Sequence, residues 1–155
     1  MKLTTGKLNS FLMFKLPSAW LCGVRVKAID GTHCVTGVKH SWINQNPFNS
    51  LYFAVQAMAA ELSTGALVMA GIQESGAKIS MLVAQNRARF TKKATGKITF
   101  TCKDGNLIND KIKAAVESGE GQTFWMTSTG VNEQGQEVAT FEFEWTIKLK
   151  AQKNK

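Results

Sequence analysis

The apolar positions Leu8, Phe11, Leu12, Phe14 and Leu16 recur at near-helical spacing and stop at Pro17, which predicts a first helix over residues 8–16. Ser18 to Gly23 reads as a connector or a short second helix with Trp20 and Leu21 buried. Val24–Ile29 and Thr32–Ser41 are strand candidates, and Asp30-Gly31 between them signals a hairpin. From Leu51 to Ile72 the chain is apolar on every side of a helix, broken only by Gln56, Glu61, Ser63 and Thr64. Such a helix is buried all round. Asn49 or Ser50 is its expected N-cap, and its end is expected near Gly71 or Gly76. The period then switches to two. Lys78–Thr91, Lys97–Cys102 and Thr123–Thr129 read as strands, and Asn106–Ser118 between them as a short amphipathic helix. Glu137–Lys150 alternates most cleanly, with Phe141, Phe143, Trp145, Ile147 and Leu149 on one face and Glu142, Glu144, Thr146, Lys148 and Lys150 on the other.

Two strands, one buried helix and about four further antiparallel strands make an α+β pattern. The apolar helix, about residues 49–70, needs a sheet wrapped around it. A curved antiparallel sheet around a central helix is the hotdog fold. The polar face of the last strand suits a sheet covered on one side only. No linker or repeat divides the chain, so residues 1–150 are expected to form one domain, followed by a basic tail at 151–155.

Composition narrows the function classes. At 155 residues, 44% hydrophobic and 19% charged, the chain can bury one sizeable core. No uncharged apolar run approaches 18 residues, so no membrane span is expected. Cys22, Cys34 and Cys102 are odd in number and form no CxxC, which fits reduced thiols in a cytoplasmic protein. His33 and His40 are joined by no acidic or cysteine cluster that would complete a metal set, so no metal is expected and both histidines read as structural. The net charge is +8, but the lysines are dispersed and four of them fall in the last eight residues. This argues against nucleic acid and suits a phosphorylated small molecule such as coenzyme A.

Glu61 carries the chemistry. It is the only charged residue between Lys39 and Glu74. Burying a lone carboxylate is costly unless it is paired or its pKa rises. One reading is a glutamate that reaches a rim or pairs with a lysine; the other is a general base or nucleophile. The free N–H groups at the helix start, near Ser50 to Phe53, form a donor cluster able to hold an oxyanion. Glu61 lies about 11 residues further on, roughly 16 Å along the helix. One chain cannot bring both to a single carbonyl, but two antiparallel helices in a two-fold dimer can.

The same residues carry a resemblance. Asn46, the small pair Asn49-Ser50 and an acid fifteen positions after Asn46 resemble the pattern of hotdog acyl-CoA thioesterases of the PaaI type. That pattern is Asn-x-x-Gly-Thr-x-His-Gly-Gly followed by an acid on the central helix. By spacing, Asn46 falls on the motif Asn, Asn49-Ser50 on Gly-Thr, Tyr52 on the His, Phe53-Ala54 on Gly-Gly and Glu61 on the helix acid. Ser80 falls near a serine that some of these enzymes use. The Leu-Pro-Ser-Ala-Trp-Leu, Asn-Pro-Phe-Asn-Ser-Leu-Tyr-Phe-Ala and Met-Ala-Ala-Glu-Leu-Ser-Thr-Gly segments are closer still to a hotdog family of unknown function grouped with them. This resemblance covers most of residues 10–150. Tyr52-Phe53-Ala54 in place of His-Gly-Gly keeps the backbone donors but narrows the tunnel.

The resemblance implies hydrolysis of an acyl-CoA or related acyl thioester at a composite site in a homodimer or dimer of dimers. Coenzyme A is then part of the substrate, and no separate cofactor is implied. Glu61, Asn46 and Ser80 are the implied catalytic residues, with Asn49, Ser50, Tyr52 and Phe53 binding substrate and the Phe53 N–H holding the carbonyl oxygen. A hotdog protein that binds acyl groups or serves in assembly without catalysis is the alternative, and Tyr52 and Phe53 favour it.

Overall fold

The computed structural model describes residues 2–151. The expected basic tail falls, from residue 152 onward, outside the described residues.

The elements are α1 (Thr5–Lys15), α2 (Pro17–Leu21), β1 (Arg25–Ile29), β2 (Cys34–Lys39), a 3₁₀ turn (Trp42–Asn44), α3 (Phe53–Ser75), β3 (Ile79–Phe90), β4 (Lys97–Cys102), α4 (Gly105–Ser118), β5 (Gln122–Val131) and β6 (Glu137–Leu149). They form one antiparallel six-stranded sheet in the order β1-β2-β4-β5-β6-β3, packed on α3. This is the α+β hotdog architecture expected from the pattern.

Local chemistry sets the boundaries. Thr4 caps α1, and Pro17, at the first position of α2, ends it. Leu8 and Leu12 are the buried residues of α1, each contributing about 1.5–3 kcal/mol on burial. Pro17–Leu21 is helical as expected, but its burial is not. Leu21 is 64% exposed, and Trp20 is half-buried beneath the Arg25 guanidinium, 3.4 Å from the ring centroid. One turn of helix has only one inward face, and Ala19 occupies it.

α3 begins at Phe53 rather than at Asn49 or Ser50. The chain before it is tied down as a loop. Asn49 adopts a left-handed conformation (φ 57°), Leu51 N–H donates to the Ala94 carbonyl, and Tyr52 N–H donates to the Asn44 carbonyl. Gly76 ends the helix in the left-handed conformation (φ 67°) that favours glycine. By length and apolarity α3 could cross a membrane; here the sheet and α4 pack against it, and most of its apolar segment is buried.

β6 alternates as its sequence predicts. Phe141, Phe143, Trp145 and Ile147 are buried toward α3, while Glu142, Glu144 and Lys148 face outward. On the outer face Arg87 of β3 pairs with Glu142, and Gln85 donates to Glu144. β1 and β3 are the sheet edges. β3 is irregular between Val83 and Gln85, and beyond that point its residues are exposed on both faces, including the inward-facing Asn86, Ala88 and Phe90.

Candidate active site

The loop before α3 is organised by Asn46. Its Oδ1 accepts from Phe48 N–H at 2.9 Å and from Ser50 N–H at 3.2 Å, and its Nδ2 donates to Ser50 Oγ at 2.9 Å. Asn46 therefore spends most of its polar capacity on the loop, leaving one amide hydrogen. Ser50 is buried beside it, and Asn49 supplies the turn.

This loop delivers the chain to the start of α3. The Phe53 and Ala54 N–H groups have no hydrogen-bond acceptor among the described residues, whereas Val55 and Gln56 N–H both reach the Tyr52 carbonyl. Two free donors at the positive end of a 23-residue helix form an oxyanion-type cluster. Tyr52 (46% exposed) and Phe53 (56% exposed) stack edge-to-face at 5.0 Å, and Phe53 meets Phe90 at 6.4 Å.

A pocket of about 350 Å³ opens at this helix start, lined among others by Asn46, Ser50, Phe53, Gln56, Phe90 and Lys92. Gln56 is one of the polar residues that interrupt the apolar run, and no site role is expected for it from the sequence. It is 95% buried (5% exposed), its Nε2 donates to the Leu51 carbonyl at 3.3 Å, and its Oε1 has no partner among the described residues. A polar residue within a largely apolar helix is the signal the sequence carries for it.

Glu61 lies two turns further along α3. It is part-buried, and its carboxyl group makes no hydrogen bond or ion pair among the described residues. Burial alone raises its pKa. The lysine partner that one reading of Glu61 allowed is not found among the described residues. From Phe53 to Glu61 the helix rises about 12 Å, so the donors and the acid of one chain stay apart.

Ser80 is not brought to Glu61. Alternation along β3 turns Ile79 and Met81 toward the core and Ser80 outward, where its exposed hydroxyl donates to the Lys148 carbonyl at 3.2 Å. The resemblance implies a catalytic role for Ser80; within one chain it stands on the outer face of the sheet. His33 Nδ1 lies 2.7 Å from Asp30 Oδ2 in the β1–β2 turn. Among the described residues no group of three His, Cys, Asp or Glu side chains is placed to hold a metal ion.

A family model described as a domain of unknown function, DUF4442, matches residues 5–147. The chain belongs to that family. No curated protein matches this DUF4442 chain. Among solved structures it is similar to a Pseudomonas aeruginosa protein of unknown function, named as a probable thioesterase, with TM-score 0.84 at 21% identity over 97% of this chain and 99% of that one. A Chlorobaculum tepidum protein of unknown function matches with TM-score 0.81 at 15% identity, over 94% of each chain. A thioesterase from Haemophilus influenzae matches with TM-score 0.73 at 12% identity, over 99% of this chain and 97% of that one. At these identities the likeness establishes the hotdog fold, one that proteins named as thioesterases share.

Proposed function

We propose that this DUF4442 protein hydrolyses an acyl thioester of coenzyme A or a related carrier at a site shared between two copies of the chain. The observation that supports this most is Glu61, a carboxyl group of raised pKa with no partner among the described residues, inside a largely apolar helix. A carboxylate whose pKa burial has raised is a stronger base than an ordinary glutamate, which suits it to proton transfer.

In this reading Glu61 takes a proton from water, the water oxygen bonds to the thioester carbon, and the C–S bond breaks. The proton passes to the departing thiolate. The free N–H groups of Phe53 and Ala54 on the second copy hold the carbonyl oxygen as it gains charge. Direct attack by the Glu61 carboxylate, followed by hydrolysis of the anhydride, uses the same two parts. Asn46 holds the loop that sets these donors and has one amide hydrogen left for substrate. Lys92 at the pocket and the net charge of +8 favour a phosphorylated carrier.

The copies are proposed to meet along β3. Its outer edge offers unpaired backbone groups, and Leu82, Phe90 and Phe53 are exposed. A panel of acyl-CoAs with a free-thiol readout tests the activity. Thiol release by the wild-type protein, lost in Glu61→Gln, is the expected result. The second reading, acyl binding without turnover, draws on Tyr52 and Phe53 standing over the helix start. Saturable acyl-CoA binding with no thiol release would establish it and overturn the first.

A further inference from the structure

Three residues around Glu61 have no assigned role. Trp145 on β6 is 3% exposed, and its Nε1 donates to Thr64 Oγ1 at 2.9 Å. The buried Thr64 hydroxyl in turn donates to the Glu61 carbonyl at 2.8 Å. The indole is thereby pinned to the turn of α3 that carries the acid. Next to Thr64 is Gly65, in a helix interior where glycine is the poorest choice short of proline. A Cβ there would lie 3.2 Å from Trp145 Cζ2 and 3.3 Å from Glu61 Oε1. Both groups press into the space that the missing side chain leaves open.

We propose that Gly65, Thr64 and Trp145 are positioning residues: a hydrogen-bonded indole and an absent Cβ form the notch in which the Glu61 carboxyl group rests. The inference rests on the reading of Glu61 as the acid of the site. If a Cβ is added at Gly65, one neighbour has to move. Trp145 is held by the core and by Thr64, whereas the carboxyl group has no hydrogen bond among the described residues and yields. The acid then turns toward water.

The charged side chains of the adjoining strands do not compete for this role. Glu142 and Glu144 on β6 and Arg87 on β3 are engaged with one another or with Gln85 on the outer face of the sheet. Lys148 is also on that face, and no charged group contributes to the shift at Glu61. The notch accounts for the environment of the carboxyl group through burial.

The test follows Glu61 directly. Carboxyl carbons are titrated by NMR in the wild-type protein, with Glu61→Gln to assign the resonance, alongside kcat and melting temperature. In Gly65→Ala the Glu61 titration is expected to fall toward the ordinary glutamate range. Turnover should fall tenfold to a hundredfold, as for a catalytic group misplaced by about 1 Å. The melting temperature should hold or rise, because alanine is the better helix residue. An unchanged titration and unchanged turnover in a folded Gly65→Ala would overturn the proposal. Thr64→Val and Thr64→Ser supply a second arm if the alanine variant does not fold. The valine should lower the titration and the serine should preserve it; two variants indistinguishable from wild type would again overturn it. A wild-type protein that releases no thiol, yet shows the Gly65-dependent titration, refutes the thioesterase reading and keeps the notch.

Discussion

At the scale of the residue, Glu61 links folding to pH. Its folded-state pKa lies above the unfolded value because burial penalises the charged form. The folded state therefore binds its proton more tightly, and stability falls as pH rises from the unfolded glutamate pKa through the folded one. Below that window the penalty is absent; above the folded-state pKa it is complete. Glu61→Gln removes it, so the variant is expected to melt at or above the wild-type temperature at pH 7, with the difference shrinking as the pH is lowered. Turnover should fall by about 10²–10⁴-fold, the usual range for a lost general base. A melting curve at two pH values and a thiol-release assay check both statements. A variant that melts lower and retains turnover would return Glu61 to a structural role.

At the scale of the element, close approaches fix where pieces of secondary structure meet. The first residue of α4, Gly105, donates its N–H to the Thr32 carbonyl at 3.1 Å and so seats the helix on the β1–β2 turn. A Cβ there would meet backbone, the Gly31 carbonyl oxygen and Thr32 Cα, the latter at 2.6 Å. Backbone cannot swing aside as a side chain can, so Gly105→Ala is expected to cost about 1–3 kcal/mol, read as a shift in the denaturant midpoint. Cys34 and Cys102 oppose each other on β2 and β4, fully buried, and burial pushes both thiols up to about 12. Both should resist a thiol-specific reagent until the protein unfolds, while the half-buried Cys22 reacts first. Mass spectrometry after brief labelling distinguishes them, and early modification of Cys34 or Cys102 would contradict the packing of these strands.

At the scale of the whole molecule, the sheet ends on β3 with both of its faces exposed beyond Gln85. Phe90 at its end meets Phe53 and Phe141, but the half-strand is exposed along its length. Pairing with a second copy would bury it and bring each helix start toward the other chain's Glu61. Light scattering at micromolar concentration is expected to give at least twice the 17.0 kDa chain mass. A monomer would remove the composite site, because Phe53 and Glu61 of one chain remain about 12 Å apart along the helix.

Much of this was legible from the chain alone. Period two, sustained from Phe141 to Ile147, fixed both faces of β6, since a strand buried on one side permits only one register. The apolar run from Leu51 to Ile72 specified a helix inside a sheet because nothing else could bury all its sides, and a lone Glu61 within it stood out by its cost. Tertiary contacts decided the rest. The helix starts at Phe53 because Asn46 and the carbonyls of Asn44 and Ala94 hold the preceding residues in a loop, overriding the capping preference of Asn49 and Ser50. Ser80 has the right chemistry in the sequence, but alternation along β3 turns it away from the acid. The notch of Gly65, Thr64 and Trp145 joins residues some eighty positions apart through one hydrogen bond and one missing side chain. Local pattern records which face of an element is apolar; which distant group meets that face is settled only when the elements pack.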